Sequence, residues 1–209
     1  MPIKRHLLIT GTGRSGTTFL VQLLTQLGQD TGFTDPWPAR YLDPQCNAGM
    51  EWNLRAATAP YVVKSPSLCT ELETILLGGK VMIEHVLIPV RDLFSAAESR
   101  RDVSRRTRRY TQGPVPGGLW DVHQPQDQEA VLAQKLNDLF VTLATWDIPH
   151  TLLAFPRIVS DPVYLFSKLQ PRLGDCSYAK FEAAFSLIAK PQLVHQFADA
   201  ATFRKCAVG

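Results

Sequence analysis

Long apolar runs are missing from this sequence. Nothing in it approaches the roughly 20 consecutive apolar residues that a membrane-spanning helix needs, so no span is expected. Residues 1–6 are followed by only three apolar side chains, Leu7, Leu8 and Ile9, which is too few for the core of an export signal. Cysteine is scarce. The four, at positions 46, 69, 176 and 206, form no CxxC pair, which argues against a zinc knuckle or a redox pair of that kind. They fit free thiols in a reducing compartment, and a soluble, cytoplasmic protein is expected. An excess of one charge is also lacking: 22 Lys and Arg face 19 Asp and Glu, a net charge of +3. That balance does not point to a nucleic-acid partner. There is no internal repeat and no low-complexity tract. What remains is 209 residues, 45% hydrophobic and 20% charged, the make-up of a folded globular chain. The length fits one domain over residues 1–209.

Short apolar runs alternate with helical patterns. Residues 7–10 read as a buried strand bounded by glycine, and residues 19–27 carry apolar side chains at helical spacing, with Gly28 as a stop. Residues 30–53 are rich in Pro, Gly and Asp and read as loop. A strand at 61–63 precedes a helix at 67–77, and a strand at 85–90 precedes a helix at 92–109 with Asp92 as its N-cap. Residues 113–118 form a loop, 126–146 a long amphipathic helix and 151–155 a strand. Asp161-Pro162 opens another helix, and a further one starts near Tyr178. Strand–helix alternation predicts an α/β fold, a three-layer α/β/α arrangement on a mainly parallel sheet of the P-loop NTPase type. Ligands of such sheets bind at the carboxyl ends of the strands.

The stretch Gly11-Thr12-Gly13-Arg14-Ser15-Gly16-Thr17-Thr18 follows the first strand and opens the first helix. Its glycines permit a sharp turn that points backbone N–H groups inward, and the helix N-terminus favours an anion. A nucleoside-triphosphate loop reads GxxxxGK[ST]. Here Gly11, Gly16 and Thr18 keep their places, but Thr17 stands where the lysine belongs. That lysine neutralises β- and γ-phosphates, so its loss weakens the case for a triphosphate. The later strands end at Lys64 and Arg91, with no carboxylate placed to hold a metal, since Asp92 fits an N-cap. Cations at the ends of successive strands describe a metal-free site for a strongly anionic nucleotide.

These residues resemble the sulfotransferases that use PAPS (3′-phosphoadenosine 5′-phosphosulfate). Gly13 to Leu20 is similar to the family's 5′-phosphosulfate loop, in the form that carries Arg at position 14, as bacterial, carbohydrate and tyrosyl-protein branches do. Arg91-Asp92 with Ser99 eight residues later resembles the 3′-phosphate site. Lys64-Ser65-Pro66 is similar to the Lys-x-Pro segment after the second strand, and residues 152–174 resemble a late segment, with Pro156-Arg157 in place of its usual Glu-Asp. The resemblance implies sulfuryl transfer from PAPS to a hydroxyl of a small molecule or carbohydrate, leaving PAP, with no metal.

It also implies roles. Gly13, Ser15, Gly16, Thr17 and Thr18 hold the 5′-phosphosulfate with Arg14, and Phe19 either lies against adenine or packs in the core. Arg91 and Ser99 grip the 3′-phosphate, and Arg14 and Lys64 neutralise charge on the leaving group. A general base is needed. The His that the cytosolic branch supplies is absent from Lys64-Ser65-Pro66. Counting from Arg14 as in tyrosyl-protein sulfotransferases gives Asp35, with Glu51 second and His85 or His123 third. Asp35 serves equally as a turn residue before Pro36. Arg100, Arg101, Arg105, Arg106, Arg108 and Arg109 read as a solvated basic face, or as a field that draws anions in. Trp37, Trp52 and Trp120 lie in loops that could line an acceptor pocket. A nucleotide kinase or NTPase, and a PAP-binding module without activity, are the competing readings. No nucleic-acid or membrane partner is expected, and the oligomeric state is open.

Overall fold

The structure is a computed structural model and describes residues 3–44, 46–107, 115–195 and 197. Four strands, β1 (Lys4–Ile9), β2 (Val62–Lys64), β3 (Val81–Val90) and β4 (His150–Ala154), make one sheet in the order β2-β1-β3-β4. Every neighbouring pair is parallel. Parallel neighbours need a crossover long enough to hold a helix, which is why helices follow the strands. The helices are α1 (Thr17–Gln26), α2 (Leu68–Leu77), α3 (Leu93–Thr107), α4 (Gln128–Thr145), α5 (Pro162–Leu169) and α6 (Tyr178–Ile188). None of them is long and apolar enough to cross a membrane.

β1 explains the layering. Successive strand side chains point to opposite faces, so the apolar stretch Leu7-Leu8-Ile9 of this central strand must be covered on both. Leu7 and Ile9 join a core with Leu20 and Leu24 of α1, Leu165 of α5 and Phe181 of α6. Leu8 lies between them in sequence and joins the opposite core, with Leu72 and Ile75 of α2 and Leu139 and Leu143 of α4. The expected three-layer α/β/α arrangement is therefore the one formed, with a sheet that is parallel throughout. β4 is an edge strand, and its Leu152 is 48% exposed while Leu153 is fully buried.

β3 starts at Val81, four residues before the expected strand at 85. Glu84 interrupts the apolar run, but its carboxylate accepts hydrogen bonds from Arg5 Nη1 (3.1 Å) and from the Tyr61 hydroxyl (2.8 Å). Arg5 on β1 and Tyr61 just before β2 thus partner the charge and let the strand run on past it. Asp92 caps α3 as expected, its carboxylate accepting from the Ser95 N–H at 3.0 Å. Asp161 does the same for α5 through the Tyr164 N–H at 2.8 Å. Arg108, Arg109, Gly113, Pro114 and Cys206 lie outside the described residues.

His85 sits inside this sheet. It is 7% exposed, and its Nε2 lies 2.7 Å from Thr151 Oγ1 on β4. Burial, with the charges of Arg172 and His150, pushes its pKa down from 6.5 to about 4. The unfolded chain therefore takes the proton first. Stability from neutral His85 is complete above pH 6.5 and is lost as the pH falls from there through about 4. The loss is at most about 3 kcal/mol. Urea midpoints measured across that range should fall less steeply for His85→Gln than for the parent; an identical slope assigns the acid sensitivity to another group.

Candidate functional site

The chain passes β2 on one side of β1 and β3 on the other, which opens a crevice beyond the carboxyl ends of the strands. The loop from β1 to α1 lies there. Gly13, Arg14 and Gly16 adopt positive φ angles of 67°, 56° and 87°. Gly16 has no room for a larger residue, since a Cβ would come within 3.0 Å of Ile158 Cδ1 and 3.2 Å of the Phe155 ring. Gly16 is also the N-cap of α1. No side chain caps that end, and no acidic residue occupies its first turn. The first N–H groups of α1 thus have no intrahelical partner, a ready site for an anion.

Around this end opens a cleft of about 1060 Å³. Pockets for one drug-sized ligand run to roughly 1,000 Å³, so this one suits a large ligand or two adjoining ones. Gly13, Arg14, Gly16, Thr17, Thr18 and Phe19 line it, together with Lys64, Arg91 and Ser99. The cations expected at three strand ends therefore meet in one cleft. Arg14 Nε donates to Ser99 Oγ (3.0 Å) and its Nη1 to the Cys46 carbonyl (2.6 Å). Arg91 Nη1 donates to the Arg14 carbonyl (2.9 Å) and its Nη2 to the His195 carbonyl (2.6 Å). Arg91 also stands over the Phe155 ring at 5.0 Å. Lys64 is 2% exposed and donates to Glu51 Oε1 (2.8 Å) and the Gly49 carbonyl (2.9 Å).

The electrostatics follow from burial. Among the described residues, Arg14, Arg91 and Arg100 make no salt bridge to a carboxylate and donate only to backbone carbonyls and one hydroxyl. Burial lowers the pKa of all three, to about 10 for Arg91 and Arg100, whose charges are further disfavoured by Arg14. Each keeps its proton at neutral pH. Burial lowers Lys64 as well, and Glu51 opposes that fall. The three desolvated guanidiniums are held by neutral oxygens, while the carboxylates of Asp43, Asp92, Asp102 and Asp121 favour their charges only through space. Such a site favours an anion.

The other expected residues divide. Phe19 lines the cleft and also packs edge-on against Phe185 at 5.7 Å between ring centres. Ser15 turns into the protein, fully buried, with its Oγ unpartnered. Asp35 is exposed and does not line the cleft; it precedes Pro36 in a turn. Glu51 does line it, half-exposed beside Lys64. His85 faces β4, and His123 is exposed and away from the cleft. Of the three loop tryptophans only Trp120 reaches the cleft; Trp37 packs on the core of α1, and Trp52 donates from Nε1 to the Thr31 carbonyl at 3.0 Å.

The arginine run is no single solvated face. Arg100 is buried at 5% exposure. Arg101 bridges α3 to α4, pairing with Glu98 and Glu129. Arg105 extends outward near Glu98, whereas Arg106 pairs with Asp102 of its own helix and lines the cleft. Tyr41, Phe155, Lys190, Leu193, Val194 and His195 line the cleft without any local signal that could have flagged them. They arrive from distant segments that only the sheet topology brings together.

No protein-family model matches the chain, and no curated protein does. Among solved structures it is similar to the sulfotransferase domain from the curacin biosynthetic pathway, with a TM-score of 0.52 and 17% identity over 98% of this chain and 91% of that one. The fold is that of a sulfotransferase domain. A second similar structure is the sulfotransferase domain of the Synechococcus PCC 7002 olefin synthase, with a TM-score of 0.47 and 16% identity over 95% of this chain and 85% of that one.

Proposed function

We propose that this chain transfers a sulfuryl group from PAPS to a hydroxyl of a small-molecule or carbohydrate acceptor, by in-line displacement without a metal ion. One observation carries the reading: Arg14, Arg91 and Arg100 are desolvated without carboxylate partners around the uncapped start of α1. The residues suit a nucleotide with phosphates at both ends. Arg91 donates its fork to two neutral carbonyls that a 3′-phosphate would replace, and Ser99 is adjacent through Arg14. The α1 amides, Thr17 and Thr18 suit the 5′ end, and Phe19 and Phe155 offer ring faces or edges to a base. The replacement of the loop lysine by Thr17 favours this nucleotide over a triphosphate.

PAPS, when bound, supplies the sulfuryl group and leaves as PAP. Arg14 and Lys64 neutralise the charge that grows on the leaving phosphate, acting from fixed positions that need no reorganisation. Glu51 takes the proton of the acceptor hydroxyl. It is the carboxylate of the cleft wall that touches Lys64, whereas Asp35 stands outside. Calorimetry with PAP and with ATP, each with and without magnesium, tests the proposal. Tight, magnesium-independent PAP binding is expected; a preference for magnesium-ATP would make the chain a kinase or NTPase instead. Arg91→Ala should weaken PAP binding by about 1.5–3 kcal/mol, the range for hydrogen bonds to a charged group. An unchanged affinity would remove Arg91 from the 3′-phosphate site.

A further inference from the structure

Ser99 and Arg100 are consecutive on α3, and both grip the loop between β1 and α1. Ser99 Oγ accepts from Arg14 Nε. Arg100 reaches further in: its Nη2 donates to the Thr12 carbonyl at 2.5 Å, and its Nη1 donates to the Gly118 carbonyl at 2.6 Å. One planar guanidinium thus ties the phosphate loop to the cleft wall formed by residues 115–120. We propose that Arg100 is a positioning residue that fixes the phosphate loop for its anion. The proposal rests on the nucleotide reading above for the identity of that anion.

Four further observations support a built hold. Arg100 stacks on the Trp120 ring at 4.9 Å, and Lys135 approaches the same ring at 4.1 Å while pairing with Asp121 at 2.6 Å. The indole is therefore fixed beside two cations, and it in turn fixes the guanidinium plane. Gly13 makes room for the group: a Cβ there would lie 2.7 Å from Arg100 Nη2. The wall is latched separately to α3, because the Leu119 N–H donates to Ser104 Oγ at 2.8 Å. Finally, Arg100 Nε has no partner, and no carboxylate neutralises the group among the described residues. A charge meant only to fill a core would be better replaced by apolar volume. A lysine cannot substitute, since a single ammonium on a flexible stem lacks the rigid two-armed reach to carbonyls of separate segments.

The test compares Arg100→Lys and Arg100→Gln with the parent in two measurements. Hydrogen exchange on the ligand-free protein follows a peptide spanning residues 9–20, and calorimetry follows PAP. Arg100→Lys is expected to exchange the loop amides at least about tenfold faster, with β3 and α2 amides unchanged, and to bind PAP roughly 10- to 100-fold more weakly. Unchanged loop exchange overturns the proposal, and so does faster exchange spread over β3 and α2, which marks a residue of general packing. Should both variants fail to fold, Trp120→Leu keeps the arginine and removes its stacking partner. The same peptide should then loosen locally, and unchanged exchange overturns the proposal. If the parent protein itself does not bind PAP, the nucleotide reading fails while the exchange measurement still decides the hold on the loop.

Discussion

Glu51→Gln is expected to lower sulfuryl turnover by roughly 100- to 10,000-fold, the usual contribution of a positioned general base. The substitution is chosen for its shape. The Gln carbonyl still accepts from Lys64 Nζ, now 2.8 Å from Glu51 Oε1, so the lysine keeps its hydrogen bond and loses only the counter-charge. PAP should bind as well as before or slightly better, because a negative charge has left an anion site. Turnover is read as transfer of labelled sulfate from PAPS to whichever hydroxyl compound a screen identifies. Asp35→Asn is the control. Asp35 is exposed and outside the cleft, so turnover should stay at the parent level. If the Asp35 variant loses activity and the Glu51 variant keeps it, the base assignment is reversed.

Lys64→Met should cost about 100- to 1,000-fold in turnover, the scale found when one preorganised group facing developing charge is removed. Folding should not suffer. Lys64 is 2% exposed, and Met has similar volume without a charge to desolvate, so the melting temperature should hold or rise. Glu51 is half-exposed and regains water when its partner goes. Before transfer PAPS carries less charge on the oxygen that Lys64 is placed to neutralise, so PAPS affinity should change far less than turnover. A fall in affinity that matches the fall in turnover would mean that Lys64 only binds the nucleotide. A variant with full turnover would remove Lys64 from the chemistry. The two substitutions act on one hydrogen-bonded pair, so their effects should not add.

The limits of the local pattern are visible in the arginine run. Arg100, Arg101, Arg105 and Arg106 look alike in sequence, yet one is buried against the phosphate loop, one bridges two helices, one reaches outward and one lines the cleft. Helical spacing sorts faces, but it does not reveal that a loop carbonyl, Thr12, and a second one, Gly118, wait opposite position 100. The positions of Asp35 and Glu51 were hidden from the sequence on the same ground. Counting along a Pro-rich loop gives no distance, and the fold turns Asp35 outward while Glu51 meets Lys64.

What the sequence determined alone was whatever depends on near neighbours. Unbroken apolar character in residues 7–9 demanded a strand covered on both faces. The glycines at 13 and 16 demanded a turn that other residues resist, and Asp92 and Asp161 marked where helices begin. Each is a preference of backbone sterics or of solvent, expressed within a few residues of the chain. Tertiary structure decided which charges share one space: Arg14 with Ser99, Arg91 with Phe155, Arg100 with Thr12 and Trp120. Those pairs lie far apart along the chain. Their energies depend on distance and on the exclusion of water, and both come into being only when the sheet has brought its strand ends together.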